Sequence, residues 1–348
     1  MQKAKITLLI CTHNGQRTIQ QALEAIATQT DVSRDCFEVL VIDNASSDRT
    51  SEIATSTLQR LNLNGRVLLE SRLGKINAFL KGVDAAQGEF ISIIDDDNFI
   101  EPGFIRHTIE IFDRFPTVGI VASSNHIFTD QPLPSWFGWV SSRYSCSQPW
   151  FQTIEKQDAD GLIVGQTPFI AGAGSTFRVK PLRDCLDNGY QFFNDAQRGK
   201  EMKVSCEDLE LSCLFYCLGY QCAHHPGIQL HHAIQVERLN INYLKVLCRT
   251  VGAGTLGVDP FLFTYKYSGN SLPLKWTWQW QLVSKLRRFL NLNISQSLGD
   301  QNEEQKFRNW RDRVECMGAI QRILSERGNY TRHIQQVAAG KWTELRVR

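Results

Sequence analysis

Phe90-Ile91-Ser92-Ile93-Ile94-Asp95-Asp96-Asp97 is the stretch on which the fold turns. Its first five residues are mostly β-branched or aromatic and read as a buried strand. The three carboxylates that close it repel one another unless something cationic shares the site. Hard oxygen ligands suit Mg²⁺ or Mn²⁺, and Mg²⁺ is typically held by one or two carboxylates together with substrate phosphates. Ligands of open α/β sheets bind outside the carboxyl ends of the strands, which is where this triplet falls. The simpler alternative is an acidic turn before a helix, with Pro102 at a first helical position and Glu101 favouring its dipole.

Outward from this point the same pattern repeats. Ile6–Cys11 and Phe37–Ile42 are apolar strands, Val67–Leu69 a short third and Val118–Ala122 a fifth. Between them Arg17–Thr28, the segment from Ser46-Ser47-Asp48 to Leu61, Lys75–Ala86 and Pro102–Phe112 have helical spacing or capping residues. Strands alternating with helices predict a Rossmann-like α/β fold, a mainly parallel central sheet flanked by helices. From about Asp130 to Trp150 prolines and tryptophans mark an irregular stretch of the kind that forms substrate loops. Order returns at Phe169–Arg178, followed by a helix from Glu207 to Leu218 and a strand ending at His231-His232; beyond Arg238 the chain reads as mainly helical.

The composition is that of an ordinary globular protein of 348 residues with net charge +2. No apolar run approaches the roughly 18 residues of a spanning helix, and no signal-peptide pattern opens the chain, so the expected location is the cytoplasm. The charge is uneven: residues 275–348 carry 14 Lys/Arg against 7 Asp/Glu, and residues 1–274 carry 24 against 29. Such a tail suits an anionic membrane surface, a partner expected here in preference to nucleic acid. Trp276, Trp278 and Trp280 next to Lys285, Arg287 and Arg288 resemble an interfacial helix, although an ordinary packed helix has the same look. Cys206, Cys213, Cys217, Cys222, His224 and His225 lack the tight pair of a structural zinc site and are expected to pack in the core. Gly252-Ala253-Gly254-Thr255-Leu256-Gly257 matches a dinucleotide fingerprint by letter, but it follows no strand.

In chain order come Thr12-His13-Asn14, Val41-Ile42-Asp43-Asn44-Ala45-Ser46-Ser47-Asp48, Gly74-Lys75, Asp95-Asp96-Asp97, Gly172-Ala173-Gly174, Glu207-Asp208 and His232 with Glu237-Arg238. Together they resemble the family 2 glycosyltransferases. The resemblance implies a GT-A fold, a nucleotide-diphosphate sugar donor (a UDP-sugar above all), Mn²⁺ or Mg²⁺, and inversion at the anomeric carbon. It implies that Asp97 holds the cation with Asp95 and that Asp96 lies near the donor ribose or phosphate. Thr12, Asn14, Asp43 and Asn44 would contact the nucleotide, although many relatives have two acids where Asp43-Asn44 stand. Lys75 would reach the diphosphate. Asp208 would be the general base, with Glu207 orienting the site or contacting the acceptor. His232 would complete the metal site, with His231 as the alternative on the opposite strand face.

The chemistry of the residues agrees with this. A departing diphosphate is an anion that a cation stabilises, and an acceptor hydroxyl needs its proton accepted as it attacks. The resemblance implies that residues 1–240 form the catalytic domain, with about 1–125 binding the nucleotide sugar and 126–240 the acceptor. Residues 241–348 are expected to form a basic helical extension. The product would be a polysaccharide or glycolipid, made from a glycan or lipid-linked acceptor by an enzyme in the cytoplasm or peripheral to the inner face of the cell membrane. Two rivals are a nucleotidyltransferase that makes nucleotide sugars and a non-catalytic sugar-nucleotide-binding protein. The first usually has a Gly-rich loop where this chain has Thr12-His13-Asn14-Gly15, and the intact Asp95, Asp97 and Asp208 argue against the second.

Overall fold

The computed structural model describes residues 4–194, 204, 206–264, 273–297, 301–340 and 345. Four strands, β1 (Ile6–Thr12), β2 (Phe37–Asp43), β3 (Gly65–Leu69) and β4 (Phe90–Ile93), lie parallel in the order β3-β2-β1-β4. Parallel neighbours need crossovers, and these are α1 (Ile19–Ala27), α2 (Thr50–Arg60) and α3 (Lys75–Ala85). Helices cover both faces, so β1 and β2 are buried almost throughout. The buried charge at the start of β2, Glu38, is tolerated because Thr7, Arg66 and the Gln87 N–H all donate to it. Thr12 pairs with Asp43 and Leu9 with Ile93, so β1, β2 and β4 end along one edge of the sheet.

The chain continues through β5 (Asn98–Ile100), α4 (Phe104–Arg114), β6 (Val118–Phe128), β7 (Thr153–Gln157), β8 (Ile163–Gln166), β9 (Thr176–Arg178), α5 (Val179–Asp187), α6 (Glu207–Cys217) and β10 (Gln221–Ala233). These extend the sheet as β4-β9-β6-β10-β8-β7, with β5 on β10; β5, β8 and β9 run against the rest. The expected strand at Val118–Ala122 runs on to Phe128 because β10 pairs with it as far as Ala233. The expected helix start at Pro102 falls short, because Gly103 turns the chain at φ +92° and α4 begins at Phe104.

Three further helices, α7 (Ile241–Thr264), α8 (Trp278–Ser297) and α9 (Glu303–Ala339, kinked at Glu326), complete the fold. Val258, Phe261 and Val337 join the same core cluster as Leu9, Ile93 and Phe177, so the helical region shares the core of the sheet. The fingerprint-like glycines lie inside α7. A side chain at Gly252 would collide with the Glu315 backbone of α9, and one at Gly318 with the Arg249 backbone of α7. Gly252 and Gly318 thus allow α7 and α9 to pack closely. Although broken by charges in sequence, Ile241–Phe263 is long and apolar enough by length and composition to cross a membrane; half of that stretch is buried within the protein. Cys213, Cys217 and Cys222 are core residues whose thiols point at the carbonyls of Pro168, Phe261 and Thr167.

Candidate active site

The three acids after β4 fan out to different partners, as consecutive residues leaving a strand do. Asp95 lies 3.3 Å from the Lys75 ammonium, at the first turn of α3. Asp96 accepts a hydrogen bond from Thr12 Oγ. Burial, then the charge of Asp97, pushes its carboxyl up to about 7. Asp97 faces His232 Nε2 at 3.4 Å and Arg238 at 3.1 Å, and Asn98 donates to it at 3.2 Å. Burial opposes ionisation of Asp97, but His232 and Arg238 outweigh it and hold the carboxyl below its ordinary value. The same contact holds the His232 imidazole well above its own, against the effect of burial. Asp95 was expected beside the cation with Asp97. In this structure Asp95 lies beside Lys75, while Asp97 lies beside His232.

A cleft of about 310 Å³ opens over this fan, lined by His13, Asn14, Arg17, Lys75, Asp95–Asp97, His232, Gln235 and Arg238 among others. That size accommodates a small polar ligand. Gly15 also borders it, because a side chain there would collide with Asp96 and Thr12. Three residues expected to touch the nucleotide lie behind the cleft wall. Thr12 is buried against Asp96. Asp43 accepts from the Ser46 N–H at 2.9 Å and from Ser51 Oγ. Asn44, 2% exposed, donates to the Glu70 and Arg72 carbonyls and accepts from the Gly74 N–H at 2.9 Å. These side chains shape the loops of the cleft, because buried polar groups at strand ends are drawn to the nearest unpaired backbone. Asn14, at φ +56°, both lines the cleft and ties the loop after β1 to the loop after β2, accepting from the Ser47 N–H at 2.8 Å.

The start of α6 adjoins the cleft through Lys75. Glu207 lies 3.2 Å from the Lys75 ammonium, so one lysine bridges Asp95 to Glu207. The charge of Asp95 above all, with Glu207 and Asp208 and against burial, raises that lysine well above its ordinary value. Asp208 accepts from the Gly172 N–H at 2.7 Å and from the Leu209 N–H at 2.8 Å. Gly172 allows this approach, since a side chain there would crowd the Asp208 carboxyl at 3.1 Å. Burial, then the charge of Glu207, raises Asp208 to about 6, against the pull of Lys75. A small apolar pocket of Ile76, Phe79, Ile93, Phe192 and Leu211 lies beside Asp208 and shares Cys11 and Lys75 with the cleft.

The donor set fits a divalent cation that takes its remaining ligands from phosphate and water. Asp97 offers oxygen and His232 offers nitrogen at the cleft floor, while His232 Nδ1 lies 2.9 Å from the Tyr144 carbonyl, to which only an N–H can donate. That bond fixes Nε2 as the atom facing Asp97, the arrangement of a metal-ligating histidine. Among the described residues no three His, Cys, Asp or Glu side chains gather closely enough to hold an ion alone. His231 points the other way, 2.6 Å from Glu101. Arg238 is the residue whose direct contact with the triplet the sequence did not assign; its spacing of six from His232 was the available signal. Tyr144 comes from the irregular stretch and gave none.

The profile of the family described as Glycosyl transferase family 2 matches residues 7–186. The chain is 30% identical over 109 residues to the putative glycosyltransferase EpsH of Bacillus subtilis, covering 31% of this chain and 30% of that protein. It is 28% identical over 227 residues to the poly-β-1,6-N-acetyl-D-glucosamine synthase of Staphylococcus epidermidis, covering 64% and 48%. The chain thus spans a third to a half of the length of these relatives. The mannosyltransferase PcManGT of Pyrobaculum calidifontis, solved with GDP-Man and Mn²⁺, superposes with a TM-score of 0.59 at 16% identity, covering 94% of this chain and 89% of that one. TarS 1-349 of S. aureus, solved with UDP-GlcNAc, gives 0.51 at 16%, covering 92% of both. These structural likenesses establish the shared GT-A fold.

Proposed function

The chain belongs to glycosyl transferase family 2, and from that membership we propose that it moves a sugar, with inversion, from a nucleoside-diphosphate sugar to an acceptor hydroxyl. Lys75 carries this reading, because it joins Asp95 at the end of β4 to Glu207 at the start of α6. On this reading a carboxylate of a donor half, residues 1–125, and one of an acceptor half, 126–240, share one lysine, where the cleft adjoins the smaller pocket.

Asp97 and His232 would hold Mn²⁺ or Mg²⁺, as the Mn²⁺ in a structure of similar fold suggests. When bound, the cation neutralises charge on the departing diphosphate. Lys75 adds a fixed positive charge on the same wall. Asp208 accepts the acceptor proton; its two backbone bonds aim the carboxylate, and its raised basicity suits proton transfer near neutral pH. Glu207 holds Lys75 in place. The relatives' names favour UDP- or GDP-sugars as donors and a glycan product, hence polysaccharide synthesis; a lipid-linked acceptor and a glycolipid product belong to the same proposal on the sequence resemblance alone. The test is a screen of nucleotide sugars with Mn²⁺ or Mg²⁺ for release of nucleoside diphosphate. Release from at least one donor, lost on chelation, is expected; turnover of a sugar 1-phosphate with a nucleoside triphosphate instead would refute the proposal.

A further inference from the structure

The helix α8 presents two unlike faces. On one, Trp278 and Leu282 pack against the cluster of Leu256, Ala319, Ile323 and Tyr330, Gln281 is buried, and Lys285 lies 3.2 Å from Asp259. On the other, Trp280 is 50% exposed, Val283 58%, Leu286 41%, Leu290 57% and Ile294 54%. Steps of three and four place these five on one side of the helix, a continuous apolar stripe over four turns. Trp276 and Trp278, which the sequence grouped with Trp280, are partly or fully packed inward, so Trp280 alone leads this face.

The charges that α8 itself carries are of one sign. No Asp or Glu occurs between Pro273 and Ser297. Arg288 is bonded to Asp312 at 3.0 Å, but Arg287, seven residues from both Trp280 and Ile294, shares the apolar face and has no acidic partner among the described residues. A second copy docked by two-fold symmetry would meet this arginine with the same acid-free stripe, leaving the charge buried and uncompensated. A bilayer with anionic lipids offers both things the face needs. Hydrocarbon receives the aliphatic residues, the interface suits Trp280, and the arginine stem lies along the surface with its head at lipid phosphate.

We propose that α8 binds peripherally to an anionic phospholipid bilayer through its Trp280–Ile294 face, with Arg287 on the lipid phosphates. The test is flotation of the full chain with phosphatidylcholine vesicles, with and without phosphatidylglycerol. Binding is expected only with the anionic lipid and should weaken as salt rises. Val283→Ser/Leu290→Ser leaves the charge unchanged and should cut partitioning at least about ten-fold, while thermal melting and nucleotide binding stay as in the parent. Arg287→Gln should cut it about five-fold. Tryptophan emission should shift to the blue on binding, and Trp280→Phe should remove the shift. Failure to bind anionic vesicles at low salt would overturn the proposal, as would undiminished binding by the double variant. A concentration-dependent dimer that the double variant dissolves, without vesicle binding, would assign the face to a second copy instead.

Discussion

Three consecutive carboxylates are tolerated at the end of β4 because each meets a different neutraliser: lysine for Asp95, a threonine hydroxyl and partial protonation for Asp96, histidine and arginine for Asp97. The consequences differ by residue. Asp97→Ala removes the proposed oxygen ligand and leaves His232 and Arg238 at the cleft floor, so calorimetry should show that Mn²⁺ no longer strengthens nucleoside-diphosphate binding. Metal-enhanced affinity equal to the parent's would remove Asp97 from the metal site. As the proposed base, Asp208, raised to about 6, would work in its ionised form. Transfer should therefore be flat above that pH and fall about ten-fold per unit below it, as initial rates at saturating donor would reveal. A profile independent of pH between 5 and 8, as assay conditions, would exclude Asp208 as the base.

Between strands and helices, the loops after β1, β2 and β3 are held by side chains that serve the backbone. Asn44→Ala would release three such bonds in a buried loop and should destabilise the protein by about 1–3 kcal/mol, read by urea denaturation. The alternating elements were legible because apolar runs and crossover helices have their own periods, and Ile6–Cys11 and Phe37–Ile42 differ from β1 and β2 by a single residue at one end. The site was legible in part. Lys75, Asp95–Asp97, His232, Glu207 and Asp208 do meet, since each stands at a strand end or helix start. What the sequence hid is direction. Nothing in Thr12, Asp43 or Asn44 says whether a polar side chain at a strand end turns to the cleft or back to the chain, and nothing in a Pro- and Trp-rich stretch places the Tyr144 carbonyl on His232.

At the scale of the molecule, the C-terminal helices and the catalytic half share a core. Arg322 of α9, 1% exposed, donates to Asn194 Oδ1 at 2.5 Å, to the Ala253 carbonyl at 3.0 Å and to the Phe193 carbonyl at 2.9 Å. Glu210 of α6, two residues beyond Asp208, accepts from the Phe193 and Asn194 N–H groups. Arg322→Met should cost about 3 kcal/mol, because it strands buried acceptors, and the melting temperature should fall accordingly; an unchanged melt would separate α9 from the catalytic scaffold. The central claim is that donor-side and acceptor-side carboxylates with different tasks adjoin at Lys75. Asp208→Asn tests it most directly, with nucleotide-sugar affinity and transfer rate measured on the same preparation. The account predicts unchanged donor affinity with transfer reduced at least about 10²-fold. Transfer at the parent's rate, or donor affinity lost along with transfer, would contradict it.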